Sequence, residues 1–326
     1  MRVYNFYNER FPVYLLIKVR GGATNMPYII GLDIGATKIR GGLIEKKRKK
    51  IIKRIELPTQ AKKTKQIVLK NIFHAVEGLW TKNIEAIGIG VAGQVDYKKG
   101  LVLRAANFSP SFSNVPLGKI LNRKFKVPVF IDNDAHLFTL AESVYGEAQK
   151  HKFVIGITLG TGIGGGIVIN KKIYRGMNNA AGEVGHMIID TSSLKTKLRC
   201  GCGKGNHWEA YASGQAMVKL YKHFTGRNQN TFKIEEEAKG GGEIARTVIN
   251  IMVDFLAQGL ANIIHILNPE IIAIGGGLSR VDILIRPAIY ETKKLLLYPS
   301  LAKTKIVKSK LGQDAGILGA ALITRT

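Results

Sequence analysis

The sequence predicts an α/β protein whose two halves echo each other. Two look-alike glycine hairpins stand about 125 residues apart, and each is followed by β/α alternation. A length of 326 residues suggests two domains with ample core, and the 45% apolar content fits a globular chain.

The first hairpin is Leu32-Asp33-Ile34-Gly35-Ala36-Thr37-Lys38 and the second runs from Ile157 to Gly166 through Thr158, Gly160, Thr161 and Gly162. Each follows an apolar, β-branched run and precedes another, so each reads as strand, glycine turn, strand. Such tips expose backbone N–H groups and hydroxyls, and two of them can grip one polyphosphate from both sides. Asp33 adds a carboxylate suited to Mg²⁺ riding on those phosphates. The order Gly160-Thr161-Gly162-Ile163-Gly164-Gly165 formally satisfies a dinucleotide fingerprint. That fingerprint needs a helix directly after the turn, and Gly166-Ile167-Val168-Ile169-Asn170 is not one. No G-x-x-x-x-G-K-[S/T] occurs, so the pattern points to ATP chemistry without a P-loop.

Strands are expected at Tyr28 to Asp33, Lys38 to Ile44 and Ile51 to Leu57, then a helix from Lys65 to Trp80 with apolar residues at helical spacing. A buried strand at Ala86 to Val91 ends in the turn Ala92-Gly93-Gln94. A helix at Pro116 to Lys124 and a strand at Val127 to Ile131 complete the first unit. The second begins with a helix at Ala135 to Tyr145, then strands at Phe153 to Leu159 and Gly166 to Asn170. A long helix from about Ile244 to Leu267 precedes Pro269-Glu270, the strand Ile271 to Ile274, and a turn through Gly275, Gly276 and Gly277 into a further helix. The lysine-rich stretch and three glycines near residue 240 read as a surface loop. Residues 1 to 25, aromatic-rich and unpatterned, read as a start-site artefact or a loosely ordered arm.

The apolar run Phe11 to Val19 is broken by Pro12 and Lys18 and is too short to span a bilayer or to serve as a signal peptide, so a cytoplasmic location is expected, with no membrane partner. The formal charge of +26 could recruit nucleic acid. Its lysines are scattered, however, over Lys46 to Lys50, Lys62 to Lys65 and Lys303 to Lys310, with no recognition helix. A solvated face that favours anionic ligands is the reading preferred.

The two cysteines, Cys200 and Cys202, are too close for an intrachain disulfide and stand between His186 and His207. Thiolates and imidazoles are the donors tetrahedral Zn²⁺ prefers, and four of them make a closed structural site. Asp132-Asn133-Asp134 follows a strand at the mouth of a helix. A carboxylate there can accept the proton of a hydroxyl attacking a phosphoryl group, while Asp or Asn is also an ordinary N-cap. Asp132 is read as cap or support, and Asn133 and Asp134 as chemistry. Glu183 and Glu209 flank the cysteine loop and read as a metal-braced wall of a sugar pocket.

These residues together resemble the ROK family of sugar kinases and repressors, within the actin/hexokinase ATPase superfamily. The matching stretches are Leu32 to Lys38, Asp132 to Ala135, Leu159 to Gly166, Glu183-Val184-Gly185-His186, Cys200-Gly201-Cys202-Gly203, Glu209 to Gly214 and Asn268-Pro269-Glu270 to Gly277, within residues 28 to 324. The resemblance implies a two-lobed actin-like, ribonuclease H-like fold with a cleft. Residues 28–133 plus 314–326 would form the small lobe, residues 134–313 the large one, and residues 1–27 an extension. It implies that Asp134 is the base that deprotonates a sugar 6-hydroxyl, and that Asn107, Asn133, Asp134, Glu183, His186 and Glu209 contact the sugar. Asp33, Gly35, Thr37 and Lys38, with Thr158, Gly160, Thr161 and Gly162, would hold phosphates and Mg²⁺, and Gly275, Gly276 and Gly277 the adenosine side of ATP. His186, Cys200, Cys202 and His207 would ligate structural Zn²⁺, His207 standing where the family usually has a third cysteine. The spacing from His186 to Cys200 is longer than usual, and Asp132 stands where glutamate is commoner. Homodimers or higher homo-oligomers are common in the family.

The function expected is transfer of the ATP γ-phosphoryl to the 6-hydroxyl of glucose or a related hexose. An N-acetylmannosamine or N-acetylglucosamine kinase is the rival within the class. A sugar-sensing repressor is the rival outside it, disfavoured because about 27 residues are too few for a winged-helix domain ahead of the first hairpin.

Overall fold

The computed structural model describes residues 27–325, so the expectation for the arm at residues 1 to 25 lies outside the described residues. The first half is built from β1 (Tyr28–Ile34), β2 (Lys38–Glu45), β3 (Lys50–Pro58), α1 (Lys65–Leu79), β4 (Ile84–Val91), the small hairpin β5 (Gln94–Asp96) and β6 (Leu101–Arg104), α2 (Leu117–Phe125) and β7 (Val129–Asn133). Then α3 (Asp134–Tyr145) leads into β8 (Phe153–Leu159), β9 (Ile163–Ile169) and β10 (Lys172–Ile173). After a long loop come α4 (Glu209–Ala212), α5 (Gly214–Thr225), α6 (Thr231–Lys239), α7 (Glu243–Leu267), β11 (Ile271–Gly275), α8 (Asp282–Leu295), β12 (Lys305–Lys308) and α9 (Asp314–Leu322).

Two five-stranded sheets repeat one topology. The first has the order β3-β2-β1-β4-β7 and the second β10-β9-β8-β11-β12. In each, the first two pairings are antiparallel and the last two parallel. The central strands are apolar on both faces, as strands covered on both sides must be. The helix ending each half crosses to the other half's sheet. Thus α3 packs on β8 and β9, α9 packs on β1 and β4, and the two helices pack on each other.

Glycines set how closely those helices lie. Gly31 and Gly88 are register partners in β1 and β4. A Cβ on Gly31 would lie 2.3 Å from the Ile317 carbonyl oxygen, and one on Gly88 would lie 1.7 Å from that of Ala320, both in α9. The second sheet repeats the device: Gly156 faces Gly166 in register, and a Cβ on either would strike Thr139 of α3. Gly88→Ala is therefore expected to destabilise the fold by about 3 kcal/mol through overpacking, read as a shifted urea midpoint at unchanged slope.

The core of the second half lies between its sheet and α4 to α8. The helix α7 is long and apolar enough to cross a membrane by length and composition, yet 67% of its apolar window is buried inside the protein. It ends at Asn268 in the left-handed conformation (φ 41°), just before Pro269, the ordinary way to stop a helix.

Several sequence expectations need correction. Residues 231–239 form α6, capped by the Asn230 side chain on the Lys233 N–H, so only Gly240 to Gly242 turn. The strand β9 begins at Ile163 and takes Gly164 to Gly166 into the sheet, because Thr158, Val184 and Thr139 crowd the space their side chains would need. The strand β7 begins at Val129, since Lys126 leaves α2 in the left-handed conformation. A 3₁₀ turn, Gly277–Arg280, separates the glycine turn from α8.

Candidate active site

The parallel strands β1, β4 and β7 end side by side. Asp33, Gly90 and Asp132 share one register row, and Ile34, Val91 and Asn133 share the next. The chain then turns directly into α3, whose first residue is Asp134. The Asn133 Oδ1 accepts from the Ala135 and His136 N–H groups at 2.9 and 3.1 Å, and its Nδ2 donates to the Gly93 carbonyl at 3.0 Å. Asn133, not Asp132, is thus the N-cap, and one amide N–H is left for a ligand.

Asp134 is half-buried where the positive end of α3 emerges. Burial pushes its carboxyl above the usual range and the Glu183 charge adds to this, while the Ala135 N–H and His136 pull the other way. Asp33 is pushed up to about 7 by burial and by the negative Asp134, against the pull of Arg40. Its carboxylate lies over the first turn of α9, where a Cβ on Gly316 would come within 2.7 Å of it. Two buried carboxyls of raised proton affinity, Asp134 adding to that of Asp33, invite a cation beside them and suit one of them as a base.

Asp132 is 2% exposed and braces the site from behind. Its Oδ2 accepts from Arg175 Nε at 2.8 Å, and its Oδ1 meets His136 Nδ1 at 3.0 Å. His136 Nε2 lies 2.8 Å from the Ala181 carbonyl oxygen. A carboxylate and a carbonyl both only accept, so the ring donates from both nitrogens and carries charge. Burial opposes that charge, but Asp132 and the Ala181 carbonyl outweigh it and hold the His136 pKa above its ordinary value. The cluster ties α3 to the segment carrying Arg175, Asn179, Ala181 and Glu183.

A group whose pKa rises on folding contributes fully below its unfolded value of about 6.5, and the contribution is lost as pH rises through the folded value. Arg175 works against the His136 charge, whereas Asp132 favours it. Asp132, held below its usual range, has the opposite sign and fails only at acid pH. The thermal midpoint is therefore expected to decline above pH 6.5, and His136→Asn to flatten that decline. A variant with the same alkaline slope as the parent would refute the tie.

The hairpin tips are held from outside. At the first, the Thr59 hydroxyl donates to the Gly35 carbonyl at 2.7 Å and the Thr59 N–H to the Thr37 carbonyl at 3.0 Å. Thr37 and Lys38 are exposed there, but Lys38 is paired with Glu56, which also holds Arg40. At the second, the Gly214 N–H donates to the Gly160 carbonyl at 2.8 Å, and the Ile163 N–H to Glu209 Oε2 at 3.0 Å. A Cβ on Gly162 would lie 2.0 Å from that Glu209 oxygen, whereas Gly160 meets nothing within 4 Å and stays open. Thr158 shares a register row with Gly275. Gly276 (φ 85°) passes so close to the Leu159 carbonyl that no side chain fits, and Gly277 is open.

The sulfur and imidazole donors converge. The Nδ1 atoms of His186 and His207 are 3.2 Å apart, Cys202 Sγ is 3.3 Å from His207 Nδ1, and Cys200 Sγ is 3.6 Å from His186 Nδ1. One ligand atom from each of the four residues lies within 4.8 Å of the others. A tetrahedron with bonds of about 2.0 Å to nitrogen and 2.3 Å to sulfur has edges of about 3.3 to 3.8 Å, so these donors fit Zn²⁺. The His207 pKa is lowered by burial and by His186, which favours the neutral ring a metal needs. Next to it Trp208 is fully buried, its indole N–H donating to the Phe255 carbonyl at 2.8 Å, in a space kept open by Gly259 of α7. The cluster is therefore anchored to the long core helix. His186 Nε2 points away from it, 3.8 Å from Glu183 Oε2.

A small polar cleft opens between these parts, lined by Asn133, His136, Asn179, Ala181, Gly182 and Glu183 with glycines of β9 and of the turn after β4. Of the sequence-predicted sugar contacts, Asn133 and Glu183 line it. Glu209 instead ties the glycine tip to the cysteine–histidine cluster, accepting from Ile163 N–H and from Cys200 Sγ at 3.1 Å. Asn107 is exposed in the turn after β6 and lies outside the lining. Arg175, His136, Asn179 and Thr59 were not singled out by sequence. His136 had a legible signal, an acid–imidazole pair at i, i+4 on a helix start, but Arg175 lies 43 residues from Asp132 and only the fold joins them.

The chain belongs to the ROK family, whose profile matches residues 29–326. It is 32% identical over 313 residues to a glucokinase of Thermotoga maritima, covering 91% of this chain and 97% of that one. It is 33% identical over 306 residues to an N-acetyl-D-glucosamine kinase of Vibrio atlanticus, covering 90% and 98%. Among solved structures, a ROK glucokinase of Streptomyces griseus in complex with glucose and AMPPNP superposes with a TM-score of 0.79 at 31% identity, covering 91% of this chain and 99% of that one.

Proposed function

We propose that this protein is an ATP-dependent hexose kinase that moves the γ-phosphoryl group of ATP to the 6-hydroxyl of glucose or a closely related hexose. The observation that carries this reading is Asp134, a half-buried carboxyl of raised proton affinity at a helix N-terminus, beside Asp33 and the polar cavity. A base poised in this way takes the hydroxyl proton as the oxygen attacks. The new O6–P bond forms as the bond from the γ-phosphorus to the bridging oxygen breaks, and ADP leaves.

In this reading Asp33 holds Mg²⁺ on the phosphates, the tips at Gly35–Thr37 and Gly160–Gly162 supply N–H groups and hydroxyls, and Gly275 to Gly277 pass the adenosine. Lys38 reaches the phosphates only by leaving Glu56. Asn133, Glu183 and His186 contact the sugar; with Nδ1 turned to the metal, His186 Nε2 carries the proton and donates. The zinc ligands His186, Cys200, Cys202 and His207 brace that wall without entering the chemistry. Asn107 joins only if the lobes, residues 28–133 plus 314–326 and 134–313, close on each other. The protein works in the cytoplasm as a homodimer or larger homo-oligomer, which light scattering tests, and its positive charge steers anionic substrates.

An N-acetylhexosamine kinase is the second reading, favoured by the 33% identity to the Vibrio kinase. Sugar-dependent ADP release from Mg-ATP over glucose, mannose, glucosamine, N-acetylglucosamine and N-acetylmannosamine separates the two. Activity on any of them supports the kinase and its ranking names the substrate; silence across the panel refutes it.

A further inference from the structure

Between β9 and β10 the chain turns through Asn170 (φ 51°) and Lys171 (φ 64°), both left-handed and neither of them glycine. Two such residues in succession make the tight hairpin turn that glycine usually serves. A lysine held there needs a compensating interaction.

The side chain supplies it. Lys171 Nζ contacts the carbonyl oxygen of Ser143, lies 2.7 Å from that of Gln149 and 3.1 Å from that of His151, and has that of Ala148 at 3.4 Å. An ammonium has three N–H bonds, so four converging carbonyls exceed its donors. Backbone oxygens surround a monovalent cation in the same way, and here, where Lys171 is exposed, they take the place of part of a hydration shell. Ser143 is in the last turn of α3, where carbonyls lack helical partners and the dipole is negative. The Glu270 carboxylate, held by the Lys152 N–H at 2.8 Å, adds negative charge from the strand side.

We propose that Lys171 is a tethered cation filling a carbonyl nest at the C-terminal end of α3, and that without its side chain the nest is a binding site for a monovalent cation of potassium size. The nest joins the helix that begins with Asp134 to the second sheet, independently of what the active site phosphorylates. A free ion would bind it only as salt conditions allow, whereas the tethered ammonium is present at every ionic strength.

Lys171→Gly tests this, because glycine tolerates the positive φ and would stabilise the turn if the charge had no task. In choline chloride the full-length variant is expected to melt about 3 °C or more below the parent. Potassium or ammonium chloride at the same ionic strength should restore it with a millimolar half-effect, lithium should not, and the parent should be indifferent to the choice of salt. Crystals of the variant soaked in thallium(I) should show an anomalous peak among the four carbonyls. A variant as stable as the parent in choline, one destabilised but equally so in all salts, or a nest without thallium would each overturn the proposal. If the variant fails to fold in choline, refolding in potassium chloride decides it: recovery supports the site and no recovery overturns it.

Discussion

Asp134→Asn is expected to lower kcat by roughly 10²- to 10⁴-fold, the range a positioned general base contributes, while the hexose dissociation constant changes by no more than about twofold. The amide has nearly the carboxylate's shape and its oxygen can still accept, so ground-state contacts survive. What it cannot do is take the O6 proton as the bond to phosphorus forms. The Asn133 cap on the Ala135 and His136 N–H groups is untouched, so α3 starts where it did. The pH profile gives a second readout. The raised proton affinity of Asp134 means that the parent loses turnover as pH falls through that raised value, because the carboxyl is then protonated. The residual rate of the variant should lack the limb that belongs to Asp134. Bound Mg-ATP is expected to lower the proton affinity of both carboxyls, because a divalent cation held at Asp33 would oppose the burial that raises them. The acid limb should accordingly lie lower with saturating Mg-ATP than for the free protein. Coupled ADP release and calorimetric sugar binding check these points, and turnover within tenfold of the parent would remove Asp134 from the base's role.

Much of this site was legible because its residues are local in sequence. Asp33 with Gly35, the run Asp132 to Asp134, and Thr158 through Gly162 each lie on one strand end and its turn, where period-2 apolar runs and glycine fix the geometry. The repeat of the hairpin predicted the repeat of the sheet. The reciprocal crossing of α3 and α9 was not legible from periodicity, because α9 is apolar all round and its partner strands are some 230 to 290 residues away. Short elements such as β5, β6, β10 and β12 were missed for a different reason. Two to four residues carry too little pattern; β10 and β12 arise by pairing with an existing edge, and β5 and β6 by pairing with each other. Asn133 lines the cleft and also caps α3, a second task that a run of three polar residues does not reveal because the fold decides which backbone N–H groups face them. Glu209 shows the same limit: its position beside the cysteine loop was right, but its oxygens are taken by Ile163 N–H and Cys200.

On the proposed reading that His186, Cys200, Cys202 and His207 hold zinc, chelation is expected to have the other large effect. With no ion, the Cys200 thiol is pushed up to about 12 by burial and the nearby Glu209 carboxylate, so it stays protonated and donates to that carboxylate. An ion held by the four donors would keep Cys200 as the thiolate and leave Glu209 to the Ile163 N–H alone. The loop from His186 to His207 is tied by backbone bonds at Met187–Trp208, Ile189–Asn206, Thr191–Leu194, Cys200–Lys204 and Cys200–Gly203 and by the Leu198 N–H on the Tyr211 hydroxyl, and four ligand bonds would add to those ties. Loss of the ion should cost at least about 3 kcal/mol of stability and loosen His186 and Glu183 before it disturbs the core, because Trp208 stays anchored on α7. Chelated protein should therefore show a raised hexose KM at temperatures where it is still folded, with KM for ATP changed less, and Zn²⁺ should restore both. Cys200→Ser should mimic the chelated state without rescue. His207→Cys should retain the metal, since thiolate and imidazole serve tetrahedral zinc equally, whereas His207→Ala should not. Chelation that leaves hexose KM and melting temperature unchanged would mean that the four donors hold nothing the site needs. The contrast between His207→Cys and His207→Ala isolates the ligand from the packing around it, because both variants remove the ring and only one restores a donor.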